Sequence, residues 1–199
     1  MTCFGILAGG LGTRFGEPKI SATYGDVTFL DHCLAIVDQA RRDEDSVAVS
    51  VAHGFADANG ALTDRVLVRD GSPSPGPAHS IGRLAEYASS RSQDLVFMAV
   101  DMLGVRPSTL AAIARRLVVN QTNNEDMIVV ARNGGRAHWV LGGIPRTLLP
   151  RVVSAAESVA AVQSLLRLSQ LDYLDVEPPE LIDVNFPELL PDASRISSS

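Results

Sequence analysis

Short apolar runs alternate along the chain with longer stretches whose apolar residues recur every three or four positions. Residues 4–8, 47–52, 65–68, 95–100, 127–131 and 139–141 are of the first kind and predict strands. Residues 29–40 place Phe29, Leu30, Cys33, Leu34 and Val37 on one face, which predicts a helix with Thr28 as its N-cap. Residues 80–88, 107–117 and 158–168 predict three more helices. Pro107 suits a first turn, and Arg115 and Arg116 are expected in the last turn of that helix, against its negative dipole end. Residues 71–76 read Gly-Ser-Pro-Ser-Pro-Gly and predict a loop, because neither element continues through such a run.

The run at 95–100 is apolar throughout, as a strand covered on both faces requires. Alternating strands and helices predict an α/β fold: a three-layer α/β/α sandwich on a mostly parallel, Rossmann-like sheet. In such sheets the ligand lies beyond the carboxyl ends of the strands, at a switch in strand order. The positions to inspect therefore follow Ala8, Val68 and Val100, where a glycine-rich segment, Asp70 and Asp101 would share one edge.

Composition narrows the function classes. The chain has 199 residues, 46% of them hydrophobic, and a formal net charge of −6. An acidic chain of this kind does not replace counterions on a nucleic-acid backbone, so no nucleic-acid partner is expected. The apolar runs are too short to cross a membrane, and the opening residues show no basic segment ahead of an apolar one, so a cytoplasmic protein is expected. Cys3 and Cys33 form no CxxC pair and are expected reduced and buried. The length predicts one domain over residues 1–191, followed by a disordered tail over 192–199.

The most informative stretch is residues 7–19, which read L-A-G-G-L-G-T-R-F-G-E-P-K. Glycines allow the backbone to approach a ligand, and successive N–H groups cradle phosphate oxygens. Arg14 and Lys19 add positive charge. The dinucleotide fingerprint fails because its third glycine is Phe15, and the P-loop fails because Lys19 precedes Ile20. The plainer reading is an ordinary glycine-rich turn with two solvated bases.

L-A-G-G-x-G-x-R-x-G-x-x-K resembles the opening motif of the MobA-like nucleotidyltransferases, the molybdenum cofactor guanylyltransferase family. Sugar-1-phosphate nucleotidyltransferases share its start, but the close spacing of Arg14 and Lys19 is similar to the first group. Arg69-Asp70 with Gly76-Pro77, Ala99-Val100-Asp101-Met102, Arg136-Ala137-His138 with Gly142-Gly143, and Asn185-Phe186-Pro187-Glu188-Leu189 resemble later motifs of that family, in the same order. Leu103 replaces a proline after Asp101, and Phe186 replaces a threonine.

The resemblance implies a nucleotidyltransferase fold and transfer of GMP from GTP to the phosphate of molybdopterin, with release of pyrophosphate. It also implies Mg²⁺ as cofactor, with molybdoenzymes or other cofactor-biosynthesis proteins as downstream partners. Leu7, Ala8, Gly9, Gly10, Gly12, Arg14, Lys19, Asp70 and Asp101 would then bind nucleotide. Arg14, Lys19 and Asp101 would be catalytic, Asp101 and Asn185 would hold the metal, and His138 would face the acceptor. Gly9 and Gly10 follow the guanine-using members; CTP-using relatives tend to carry Ala-Ala-Gly there.

The chemistry is consistent with this residue set. The second pKa of a phosphate monoester lies near ~6, so the acceptor is largely dianionic at neutral pH and needs no general base. What it needs is neutralisation of charge on the triphosphate. Plainer readings stand beside several residues. Asp101 and Asp70 also suit turns, His138 suits a packed strand end, and Trp139 suits a core or interface. Two other functions stay open as well: a transferase using CTP or another phosphate acceptor, and a nucleotide-binding regulator without transfer activity.

Overall fold

The computed structural model describes residues 1–9, 19–52, 66–69 and 76–181. Within them, seven strands form one sheet in the order β5-β4-β1-β6-β8-β7-β9. The strands are β1 (Thr2–Ala8), β4 (Ser46–Val51), β5 (Val66–Arg69), β6 (Asp94–Ala99), β7 (Met127–Asn133), β8 (Arg136–Ile144) and β9 (Gln170–Asp175). A small hairpin, β2 (Thr23–Tyr24) and β3 (Val27–Thr28), stands apart. Strand β8 runs antiparallel to both of its neighbours, while the remaining pairings are parallel. Six strands therefore present their carboxyl ends at one edge, and β8 presents its amino end there.

Helices α1 (Phe29–Ala40) and α3 (Pro107–Thr122) cover one face of the sheet; α2 (Pro77–Ser90), α4 (Leu149–Ala156) and α5 (Val162–Leu166) cover the other. Alternation along each strand sorts the core accordingly. Phe4, Ile6 and Ala8 of β1, with Val96 and Met98 of β6, join the α1/α3 cluster. Cys3, Leu7, Leu95 and Phe97 join the α2/α4 cluster. The structure is thus the expected three-layer α/β/α sandwich.

Helix α1 begins where Thr28 predicts. The Thr28 hydroxyl accepts from the Asp31 N–H at 3.0 Å and donates to the Asp31 carboxylate at 2.7 Å, a local capping exchange. Helix α3 runs farther than expected, to Thr122, so Arg115 and Arg116 lie within it rather than in its last turn. Its end is set by Asn124 at φ 58, with the Glu125 N–H bonded to the Asn120 carbonyl at 2.8 Å. Helix α2 ends the same way, with Ser92 at φ 55 and the Gln93 N–H on the Ala88 carbonyl. These left-handed stops satisfy the last carbonyls and turn the chain directly into β7 and β6.

Three other expectations are corrected. The helix predicted over 158–168 is only α5, and a separate helix, α4, precedes it. Pro150 masks α4 in the sequence, yet in a first turn a missing N–H costs nothing. The strand predicted over 139–141 is the middle of the longer β8, joined to β7 by Gly134 and Gly135 at φ 53 and 81. Those positive angles make the two-residue turn that suits a hairpin. Strand β9 was not expected, because its acids conceal its pattern. As an edge strand it leaves Asp175 exposed, paired with Arg132, and Asp172 part-buried against Arg116 of α3.

Candidate active site

The order of strands reverses about β1: the chain passes from β1 to β4 on one side, then from β5 to β6 on the other. Open α/β sheets bind ligands at such a point. Leu7, Ala8 and Gly9 are buried there, and the Leu7 carbonyl accepts from the Val100 N–H at 3.1 Å, which holds the end of β1 beside the end of β6.

Beyond β6 the chain makes two successive turns. The Met102 N–H bonds the Ala99 carbonyl and the Val105 N–H bonds the Met102 carbonyl. Asp101 sits in the first turn. Its carboxylate meets the ammonium of Lys19, 82 residues away in sequence, in a direct ion pair. The two side chains are 16% and 15% exposed, so the pair lies at the rim rather than in the core. Lys19 is held by its neighbours: Ile20 and Ala22 are buried in the α1/α3 cluster, and the Ala22 carbonyl accepts from the Phe29 N–H at the start of α1.

Adjacent residues of α1 grip the turns that carry Asp101. The Cys33 thiol donates to the Val100 carbonyl at 3.4 Å, and His32 Nε2–H donates to the Leu103 carbonyl at 2.9 Å. Burial, and next the neighbouring Asp101 carboxylate, push the Cys33 thiol pKa well up, so it stays a neutral donor. From the far side the buried Glu180 carboxylate accepts from the Arg106 N–H and the Thr109 hydroxyl. It thereby caps α3, whose own N-cap side chain makes no capping bond. Gly104 completes the fit: a Cβ there would stand 2.1 Å from the Pro179 carbonyl oxygen.

His138 lies on β8, opposite Ala131 of β7 and partly buried. The Met98–Leu141 pairing of β6 with β8 places His138 and Asp101 toward the same edge, each three residues beyond that pair. At this point β8 leaves its register with β7, passing from Gly142 opposite Val130 to His138 opposite Ala131. Trp139 packs against the α2/α4 cluster beneath the Arg167 guanidinium, which lies 5.3 Å from the ring centroid.

Of the residues singled out in the sequence, Gly10, Gly12, Arg14, Asp70 and Asn185 lie outside the described residues. Lys19 and Asp101 are brought together, at the edge shared with Leu7, Ala8, Gly9 and His138. His32, Cys33 and Glu180 were not singled out for the site. No local pattern marks them, because each acts on a segment about 70 residues away.

The donor set agrees with a hard divalent cation. Asp101 already takes a cationic group, the Lys19 ammonium, on its carboxylate. Mg²⁺ usually needs one or two protein carboxylates, with phosphates and waters supplying the rest. Among the described residues no three His, Cys, Asp or Glu side chains gather as an all-protein metal cage.

Similar proteins are found by sequence and by fold. A Bacillus licheniformis protein named probable molybdenum cofactor guanylyltransferase is 24% identical, over 90% of both chains. Molybdopterin-guanine dinucleotide biosynthesis protein A from Archaeoglobus fulgidus superposes with a TM-score of 0.70 at 14% identity, over 94% of both chains. Rv0371C of Mycobacterium tuberculosis, solved as a complex with manganese, superposes with a TM-score of 0.66 at 20% identity, over 92% of this chain and 93% of that one. The family model of the MobA-like NTP transferase domain matches residues 5–174. With a mostly parallel sheet, a switch point after β1 and a lysine–aspartate pair at its rim, the chain belongs to the MobA-like NTP transferases and is an enzyme of the nucleotidyltransferase class.

Proposed function

We propose that this enzyme transfers GMP from GTP to the phosphate of molybdopterin, releasing pyrophosphate and forming the molybdopterin guanine dinucleotide. The observation that carries this reading is the meeting of Lys19 and Asp101 at the carboxyl edge of β1 and β6. One cation and one carboxylate, side by side where the glycine-rich segment leaves β1, are the complement of a triphosphate and its metal.

In this reading Lys19 and Arg14 bind the triphosphate, and Gly9, Gly10 and Gly12 take part in nucleotide binding with them. Charge-assisted hydrogen bonds of this kind contribute about 1.5–3 kcal/mol each. Asp101 and Asn185 hold Mg²⁺, which when bound supplies neutralisation of the charge that builds on the pyrophosphate. Asp70 contacts the nucleotide, and His138 faces the acceptor across the edge of β8. Leu7 and Ala8 shape the floor at the end of β1. The acceptor phosphate attacks the α-phosphorus: its oxygen forms the new P–O bond, and the bond to the β-phosphate oxygen breaks. No proton need be removed from a dianionic monoester.

The test is pyrophosphate release from GTP with Mg²⁺ and molybdenum-bound molybdopterin, with ATP, CTP and UTP run in parallel. Release from GTP only when the pterin is present supports the proposal. Release from CTP instead moves the base preference; tight GTP binding without release under any acceptor points to a regulator.

A further inference from the structure

We propose that His32 is a positioning residue for the transfer reaction, setting the place of Asp101 by holding the Leu103 carbonyl. The inference rests on the reading of Asp101 as a metal-binding carboxylate. The two turns after β6 are alike: each closes through its own backbone hydrogen bond, from Met102 to Ala99 and from Val105 to Met102. Each leaves the carbonyl of its second residue, Val100 or Leu103, outside that bond. Consecutive residues of α1 take up those two carbonyls, Cys33 the first and His32 the second.

The two grips are unequal. A thiol is a weak donor, and 3.4 Å from sulfur is an ordinary contact. An imidazole N–H at 2.9 Å from a carbonyl oxygen is a full hydrogen bond. His32 is therefore the stronger tie between α1 and the turns. The same helix begins at Phe29, whose N–H bonds Ala22 in the segment that carries Lys19. One rigid element thus locates both members of the pair, Lys19 through Ala22 and Asp101 through Leu103. Partners that orient a metal ligand typically change metal affinity by about tenfold or more, and the proposal gives His32 that orienting role through Leu103.

The experiment measures Mn²⁺ binding by electron paramagnetic resonance, in the full chain with a non-hydrolysable GTP analogue, alongside analogue affinity without metal and the melting temperature. His32→Leu is expected to weaken Mn²⁺ binding about tenfold, leaving metal-free analogue affinity unchanged. His32→Gln, whose amide reaches the same carbonyl, is expected to restore it. If His32→Leu does not fold, His32→Asn, which is polar but too short, makes the same comparison. Loss of melting temperature with wild-type Mn²⁺ affinity overturns the inference and leaves His32 a packing residue. Wild-type protein that takes up no Mn²⁺ with the analogue overturns the reading of the site, and the inference with it.

Discussion

The Lys19 ammonium lies directly on the Asp101 carboxylate, closing a gap of 82 residues at the rim of the sheet. Each side chain therefore has its charge compensated before any ligand arrives. In the proposed function a triphosphate would compete for the lysine, and a divalent cation would compete for the aspartate.

Separating the two groups is expected to have opposite effects on nucleotide and metal binding. Lys19→Met is expected to lower GTP affinity roughly ten- to hundredfold, the loss of one or more charge-assisted hydrogen bonds. The same variant is expected to bind Mn²⁺ more tightly than wild type when nucleotide is absent, because the ammonium no longer opposes the cation. Asp101→Ala is expected to abolish most turnover. Calorimetric titration of GTP and of Mn²⁺ checks the first two, and pyrophosphate release the third. Wild-type behaviour in both variants would remove Lys19 and Asp101 from the site.

Glu180 is a buried carboxylate that caps α3 from a distant part of the chain. Glu180→Ala leaves the Arg106 N–H and Thr109 hydroxyl without that acceptor, at a cost of about 1–3 kcal/mol. Urea unfolding should show a lower midpoint with an unchanged slope. A midpoint equal to that of wild type would mean that water replaces the carboxylate without loss.

Asp172 ties the edge strand β9 to α3, accepting from Arg116 Nε at 2.7 Å and from the buried Asn120 amide at 3.0 Å. The Arg116 contact is half-exposed and contributes little. The Asn120 amide decides the effect: Asp172→Ala should destabilise by about 1–3 kcal/mol through that unpaired donor. Asp172→Asn, which still accepts, should lose less. Hydrogen exchange localised to β9 would report the strand loosening; uniform exchange would argue against this anchoring role.

Burial raises the Cys3 thiol pKa from 9.0 to about 11, a shift that the Ser46 hydrogen bond and then the Arg91 charge only partly offset. An unfolded chain loses this proton at lower pH than the folded one, so it binds fewer protons between pH 9 and 11. Stability contributed by the neutral thiol is therefore complete below pH 9 and falls as pH rises through 11. Cys3→Ala should flatten that alkaline decline in chemical-denaturation curves. Ellman's reagent at pH 8 should react with neither Cys3 nor Cys33 in the native protein and with both in urea. Rapid native reaction would contradict the burial of both thiols.

Sequence alone determined the layers and the edge at which to look. Apolar runs and helical spacing are local signals, because burial acts on each strand and helix through its own residues. Phe29–Ala40 was legible to the residue, since Thr28 caps it with its own hydroxyl. The glycine-rich segment, Lys19 and Asp101 stood out in the sequence by residue type and spacing. Tertiary structure decided what those residues meet. The Lys19–Asp101 pair, the grip of His32 on Leu103 and the Glu180 cap each join residues 71 to 82 positions apart. Strand β9 and helix α4 were likewise hidden, one by surface acids and the other by a proline, until their neighbours in the fold gave them faces to pack against. Pairing across such separations depends on how the crossovers stack the elements, and no local spacing encodes it.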